Sequence, residues 1–581
     1  MIRGITFVRN CGSTSIGALR IAGGTSSQLL IDTCRFLTNS STCAIGLEIS
    51  SGQNLTVTNC VIVGTSGGQG ISGGVSGNVS VGNCQLIGNG SSGSFGSPGN
   101  YAISLSGSGA VAIIANTFNS TYGISSSAGG AFTFLNNYFS SSLFGSSISS
   151  GSGGSLLVAN NVFKGNSGSG SAPGGLAASA SGILVVSNNI FANNTGGVAN
   201  YHAYPGALSL SGSSILVTAN TFQGNGSGNT VECSSVGVIS GNTFIGNTPS
   251  QYGAGTGSTL YCGSSSTTVF GNTFLGNSAT ICGGIYFSAT GVATNNTFVG
   301  NSSTSSGGAV YLTSGGVIAG NVFRQNTAAQ GGGAVYATGS SVTLVDNLIV
   351  KNSQTGASYQ GGGVYASPSS SLTVVNNTMS DNTSGGSGGG LAIVISGTSQ
   401  ILNVYNNIIW GNSASGNGSD VYLAGTGSKK SFINNDVDSM YGVWDITANL
   451  IDAAPAYFDP VNGDYHLRST SACINAGTNG APSIPPYDLD GNNRTNAAIV
   501  DLGCYEFNNT AFHPADTNQN WQITAAEYAN YAAAWKNSQA WPTGPAQVPA
   551  DFVTRAGYIQ NVSTNYHNDG AGAPLGWKTG P

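Results

Sequence analysis

An all-β solenoid is the fold class this sequence predicts, and three observations predict it. A signature repeats about every 27 residues, short alternating runs lie between turn residues, and nothing before residue 430 holds a helical period. The signature is F-x-x-N: Phe7 to Asn10, Phe36 to Asn39, Phe163 to Asn166, Phe222 to Asn225, Phe274 to Asn277 and Phe323 to Asn326. Weaker copies centre on Ile62, Leu86, Phe118, Phe139, Phe191, Phe244, Phe298, Ile349, Met379 and Ile409, giving 16 copies spaced 21 to 32 residues apart. Such a period is one coil of a right-handed parallel β-helix. With rungs ~4.8 Å apart, about 16 coils make a rod of roughly 75 Å.

Each copy reads in the same order. A Gly-Gly turn leads into a short run such as Ala309-Val310-Tyr311-Leu312, a Ser/Gly/Thr stretch follows, and a second run such as Val317-Ile318-Ala319-Gly320 enters Asn321-Val322-Phe323. Runs of three to six alternating residues broken by Gly, Asn and Ser are strands between turns. Stacked coils place like residues on like. Phe118, Phe139, Phe163, Phe191, Phe222, Phe244, Phe274, Phe298 and Phe323 therefore predict an interior aromatic stack. The asparagines two residues earlier, from Asn116 through Asn407, predict a ladder of buried amides that hydrogen-bond from coil to coil.

Composition agrees. Ninety-one glycines supply the turn positions of many bends, and only 6% of residues are charged, so Ser, Thr and Asn must keep the surface wet. No apolar run approaches the roughly 20 residues of a spanning helix, so no membrane span is expected. Met1 leads straight into a repeat, from which a truncated or processed start is inferred. Fourteen of the 20 acidic residues follow residue 430, giving about −9 for the tail against about +3 for residues 1–430. That shift marks a boundary, and the lack of a basic patch argues against nucleic acid.

Two modules are expected after the rod of residues 1–430. Residues 431–507 contain Phe458-Asp459-Pro460-Val461-Asn462-Gly463-Asp464-Tyr465-His466-Leu467, Ser471-Ala472-Cys473-Ile474-Asn475-Ala476-Gly477, Asp488-Leu489-Asp490-Gly491, Arg494 and Asp501-Leu502-Gly503-Cys504-Tyr505-Glu506. This stretch resembles the closing segment of bacterial surface β-helix proteins of the pectate-lyase-like superfamily. The Gly-Gly-Ala and F-x-x-N repeats resemble those of the chlamydial polymorphic outer membrane proteins. The resemblance implies the fold; that architecture hosts lyases, hydrolases, adhesins and plain scaffolds alike. The chlamydial relatives end in a membrane β-barrel, and none is expected from residues 431–581, which argues against autotransport.

Residues 508–581 form the second module. Asp516-Thr517-Asn518-Gln519-Asn520-Trp521-Gln522-Ile523-Thr524-Ala525-Ala526-Glu527 has the spacing of an EF-hand loop and resembles a dockerin-type loop. Asp516, Asn518, Asn520, the Gln522 carbonyl and Glu527 would supply the oxygen shell that calcium prefers. Trp521 stands where the loop usually has glycine for a positive-φ turn, which counts against the metal. The competing reading is a helix N-cap at Thr524.

The ten cysteines divide. Cys34, Cys60 and Cys84 occupy the Asn-ladder position, and Cys233 and Cys262 share an inward place on neighbouring coils; interior free thiols are the expectation, with ladder disulfides the alternative. Cys473 and Cys504, at the two motif-like sites of the closing segment, are expected to be bridged, which points to an oxidising compartment.

Catalysis is not expected on the rod. Asp32, Glu48, Glu232, Asp346, Asp381 and Asp420 are its only acids and fall on separate coils, whereas carbohydrate-cleaving sites need converging carboxylates. A surface candidate lies in the strand after Gly-Gly. In Leu19-Arg20-Ile21, Leu47-Glu48-Ile49 and Val231-Glu232-Cys233 the charged middle residue must face water, and the same place holds Tyr261, Tyr286, Tyr311, Tyr336 and Tyr365. Five tyrosines would form an outward stripe that stacks on sugar rings or enters a partner interface, or that merely stabilises one sheet face. The expected function is a secreted or cell-surface, non-catalytic scaffold or adhesin, with a calcium-loaded C-terminal module that docks to a protein or envelope partner. A polysaccharide-binding or polysaccharide-degrading enzyme and a fibre subunit that associates end to end are the alternatives.

Overall fold

The structure is a computed structural model. Within residues 1–579 it describes all but 9–17, 23–27, 38–42, 50–52, 65–68, 90–100, 122, 143–145, 152, 200, 251–256, 427–428, 469, 495–498, 508–511, 543–546, 569–573 and 575–576.

Two backbone corners per coil set the winding. At each, one residue adopts the left-handed conformation and the next is an inward asparagine: Asn160 (φ 56°) before Asn161 and Gly320 (φ 64°) before Asn321 at one corner, Gly276 (φ 58°) before Asn277 at the other. This backbone costs least for Gly and Asn, which is why Gly-Asn and Asn-Asn recur. Gly320 has a second reason, because a Cβ there would meet Asn295 Oδ1 at 2.4 Å.

Between the corners lies a three-residue strand whose middle side chain points inward. Seventeen of these strands, from Thr6–Val8 to Asp436–Val437, follow one another in a single parallel ladder. Sixteen are the copies counted in the sequence. The seventeenth, the two-residue Asp436–Val437, is not among them. Phe118, Phe139, Phe163, Phe191, Phe222, Phe244, Phe274, Phe298 and Phe323 pair in register. Their buried rings stack with centroids 4.1 to 5.1 Å apart, as expected.

The asparagines form two ladders rather than one. In the expected ladder each Oδ1 accepts from the backbone N–H and the amide of the coil before it at 2.9 to 3.1 Å, from Asn137 through Asn435. The closing residue of F-x-x-N builds the second: Asn166, Asn194, Asn225, Asn247, Asn277, Asn301, Asn326, Asn352, Asn382 and Asn412 repeat the same bonds. Asn10 and Asn39 lie outside the described residues. From Asn194 through Asn412 each such amide also donates to a carbonyl one coil back, as Asn277 Nδ2 does to Phe244 O at 3.0 Å, which satisfies these buried corner amides.

A 31-stranded sheet carries the strands on either side of the Ser/Gly/Thr stretch, and a six-stranded ladder runs from Ser278–Ala279 to Ser413–Ala414. Coiling passes the boundary placed at residue 430. Lys429–Ile433, Met440–Tyr441 and Ile446–Ala448 still pair with earlier coils, and Trp444 lies on Phe432 at 4.9 Å. The rise in acidic residues therefore begins inside the rod.

The chain then returns along the outside of the last coils. Asn434 Nδ2 donates to Ala476 O, Asn406 Nδ2 to Thr478 O, and Asn376 Nδ2 to Asp501 O at 2.8 to 3.1 Å. On the other flank Lys351 Nζ reaches Pro460 O and Arg324 Nη2 reaches Gly463 O at 2.7 and 2.8 Å. Local sequence anticipates this cover: Leu348–Val350 is apolar at all three positions and buried at all three, whereas the flanks of Thr297–Val299 are half-buried. The C-terminal module packs helix α1 (Ala525–Lys536) on helix α2 (Ala550–Val562), with Ile523, Tyr531, Ala556, Ile559 and Tyr566 in its core. It meets the closing segment through Phe458, Phe512 and Trp521. Among the described residues no helix is long and apolar enough to cross a membrane.

Candidate functional site

The tyrosines stand in one column. Ser209, Glu232, Tyr261, Tyr286, Tyr311, Tyr336 and Tyr365 are successive register partners, and the flanking residues, from Val231 and Cys233 to Val364 and Ala366, are buried. The middle place therefore faces outward. One anchor of the alignment differs: Arg20 pairs with Gly46, so Glu48 lies two residues further along its strand.

The expected open ring faces are not what this column offers. Ring centroids are 5.5, 5.0, 4.8 and 4.8 Å apart, and the interplanar angle falls from 63° at Tyr261–Tyr286 to 6° at Tyr336–Tyr365. Tyr336 and Tyr365 stack face to face, Tyr286, Tyr311 and Tyr336 are tilted on one another, Tyr261 meets Tyr286 edge to face, and the side chains are half-buried with hydroxyls and ring edges along the column. Burial and the adjoining phenols push the Tyr336 hydroxyl up to about 12, and burial raises Tyr286, Tyr311 and Tyr365 as well. All four remain protonated donors near neutral pH. After Ala392 the column resumes at Tyr422 and Tyr441, stacked at 5.5 Å. Val421-Tyr422-Leu423 repeats the triplet Val310-Tyr311-Leu312, a signal already present in the sequence.

In the C-terminal loop Trp521 takes φ 56°, so the chain makes the sharp turn without glycine. Asp516 is buried and accepts from Asn520 N, Trp521 N and the Tyr566 hydroxyl at 3.1, 2.9 and 2.8 Å. Glu527 Oε1 accepts from Thr517 N and Oγ1, and its Oε2 accepts from Thr524 N and Oγ1. Thr524 Oγ1 accepts in turn from Glu527 N, so the N-cap expected as the competing reading is present as a capping box. Burial, with the Glu527 charge nearby, pushes Asp516 up to about 6. Asn518 and Gln522 are exposed and Asn520 half-buried; Gln522 bridges antiparallel to Asn565. The donors are all oxygen, two are carboxylates held close together, and the turn is made. The residues present fit a calcium ion.

The expected Cys473–Cys504 bridge is absent: both are free thiols. Their side chains enter separate apolar clusters, Cys504 with Leu348, Val350 and Tyr465, Cys473 with Ile408 and Leu502. Cys473 Sγ donates to Asp436 Oδ2 at 3.2 Å. Cys34, Cys60, Cys84, Cys233 and Cys262 are likewise buried and free, as expected.

Most rod acids with described side chains serve the framework. Asp346 pairs with buried Arg494, Asp381 accepts from the Tyr465 hydroxyl at 2.6 Å, and Asp32 meets Arg3 at 2.9 Å. The closing segment adds a joint that the sequence reading missed, in which Arg494 also meets Glu506 at 3.1 Å. Burial, then the Asp501 charge, pushes Glu506 up to about 7.

A solenoid of in-register parallel coils defines this chain as a β-helix protein. A family model described as right handed beta helix region matches residues 122–303 and 260–437, together more than half of the chain, and the protein belongs to that family. The comparison with curated proteins gave no match.

Proposed function

We propose that this protein is an extended, non-catalytic binding scaffold of the adhesin kind, working outside the cell or at its surface. The observation that carries this reading is the outward tyrosine column, five side chains on five successive coils continued by Tyr422 and Tyr441. Tyrosine offers large contact area at low entropic cost and a polar tip, which suits interfaces with proteins. Because each ring lies within 5.5 Å of the next and is half-buried, a ligand meets hydroxyls and ring edges along much of the column, which favours a protein partner over a sugar stacked on an open face. The C-terminal loop supports a second element of the proposal: Asp516, Asn518, Asn520, the Gln522 carbonyl and Glu527 would hold calcium, which would neutralise the facing carboxylates and rigidify a module that docks the rod to a protein or envelope partner.

Comparing Tyr311→Phe/Tyr336→Phe with Tyr311→Ser/Tyr336→Ser tests the column. Loss of binding to a cell-surface extract or glycan array in both variants, with melting unchanged in the Phe pair, supports it. Unchanged binding in both would reduce the column to a stabiliser of its sheet.

A further inference from the structure

Cys34, Cys60 and Cys84 occupy the ladder corner that holds asparagine in later coils. The strands that follow them pair in register, Arg35 with Val61 and Val61 with Gln85, so the three cysteines lie on adjacent rungs. Their thiols point where the amides point. Cys84 Sγ donates to Gly82 O and Val57 O, and Cys60 Sγ to Thr58 O and Ile31 O. Asn116 Nδ2 donates to the equivalent carbonyls of Ile114 and Val81. What a thiol lacks is the amide oxygen that joins one coil to the next.

With parallel side chains the Cys60 and Cys84 sulfurs are offset by about one rung, ~4.8 Å. A disulfide needs ~2.05 Å and converging side chains, so this arrangement resists it. Two metal–sulfur bonds of about 2.3 Å in line span almost the same distance as the rung. Among the described residues no three His, Cys, Asp or Glu side chains converge as a metal set, so the column offers a pair and not a tetrahedral site. Soft thiolates select soft ions such as monovalent copper.

We propose that Cys60 and Cys84 form a two-coordinate site for a soft, thiophilic metal ion, monovalent copper or its analogue silver, lying between two coils and replacing the missing amide link. Binding the ion as a bis-thiolate releases both thiol protons to solvent. Both side chains are buried, so the ion enters as the coils stack.

The test refolds the full chain with monovalent silver, washes it with a competing thiol and counts retained metal by native mass spectrometry. Cys34→Asn and Cys233→Ala are carried throughout, because Cys34 with Cys60 and Cys233 with Cys262 are further neighbouring-rung pairs. One silver should remain, and it should be lost in Cys60→Asn and in Cys84→Asn, which restore the residue the ladder uses elsewhere and so keep the fold. Cys473→Ser should retain it. No silver in the parent, or equal retention in Cys60→Asn, would overturn the proposal.

Discussion

Asn412 gives both its backbone N–H and its side-chain amide to one oxygen of Asp420, at 3.0 and 2.9 Å, and that carboxylate ends the second asparagine ladder. At each ladder step the backbone N–H and one amide hydrogen point toward this end, so these bonds leave partial positive charge here, as at the N-terminus of a helix. The other Asp420 oxygen accepts from Asp438 N and Ser439 N at 3.2 and 3.0 Å and draws the next coil into place.

Replacing that anion strands four donors, the two of Asn412 buried and those of Asp438 and Ser439 only partly so. Asp420→Ala should cost about 2 to 5 kcal/mol in chemical denaturation, since each buried donor left unmade costs about 1 to 3 kcal/mol. Hydrogen exchange should rise first around residues 412–439 and leave the middle coils protected.

Acid should strengthen the chain over part of the pH range. Burial pushes Asp436 and Glu506 up to about 7, above their unfolded values, so each contributes stability that is complete below the unfolded carboxylate range and is lost as pH rises through about 7. His513, lowered to about 4 by burial, opposes this only between about 4 and 6.5. For His466 burial works downward, but Asp464 and Asp490 at 2.6 Å hold it near 10, so its contribution also fades as pH rises toward 10. Melting temperature should fall from pH 6 to pH 8, and Glu506→Gln should flatten that slope.

Calcium at millimolar concentration should raise the unfolding temperature of the C-terminal module by several degrees. Asp516→Asn and Glu527→Gln should each abolish that rise. Asp516→Asn removes a carboxyl held up at about 6, so the metal-free variant should be the less pH-dependent of the two. Titration calorimetry without calcium heat would remove the metal from the account.

All eight cysteines described as free should alkylate after denaturation without reductant, Cys473 and Cys504 included. Before denaturation their labelling should be slow, since burial raises the Cys504 thiol to about 12 and that of Cys473 further. A mass two hydrogens short, mapped to the pair, would restore the bridge.

Period and chemistry made the rod legible. Phe163 and Asn161 recur because stacked coils demand one solution at one place, and a repeated solution is visible in a single chain. Asn166 is equally visible in F-x-x-N, but the motif marks where a copy closes and does not say that the closing amide is buried and bonded from coil to coil. The tyrosine column was found from alternation alone, while the ring tilt that hides its faces depends on neighbours that alternation does not encode. Non-repeating contacts were the least accessible. Arg494 reaches Asp346 across some 150 residues, and Cys473 turns to Asp436 instead of Cys504; no local pattern announces either.

Coil-on-coil register is the claim from which ladders, column and thiol pair all follow. Nitroxide labels at Thr117→Cys and Thr297→Cys, outward positions seven rungs apart on the phenylalanine sheet, test it by pulsed electron spin resonance. A single narrow distance centred at about 34 Å, seven rung spacings, is predicted. A broad distribution, or a separation unrelated to the number of intervening coils, would contradict it.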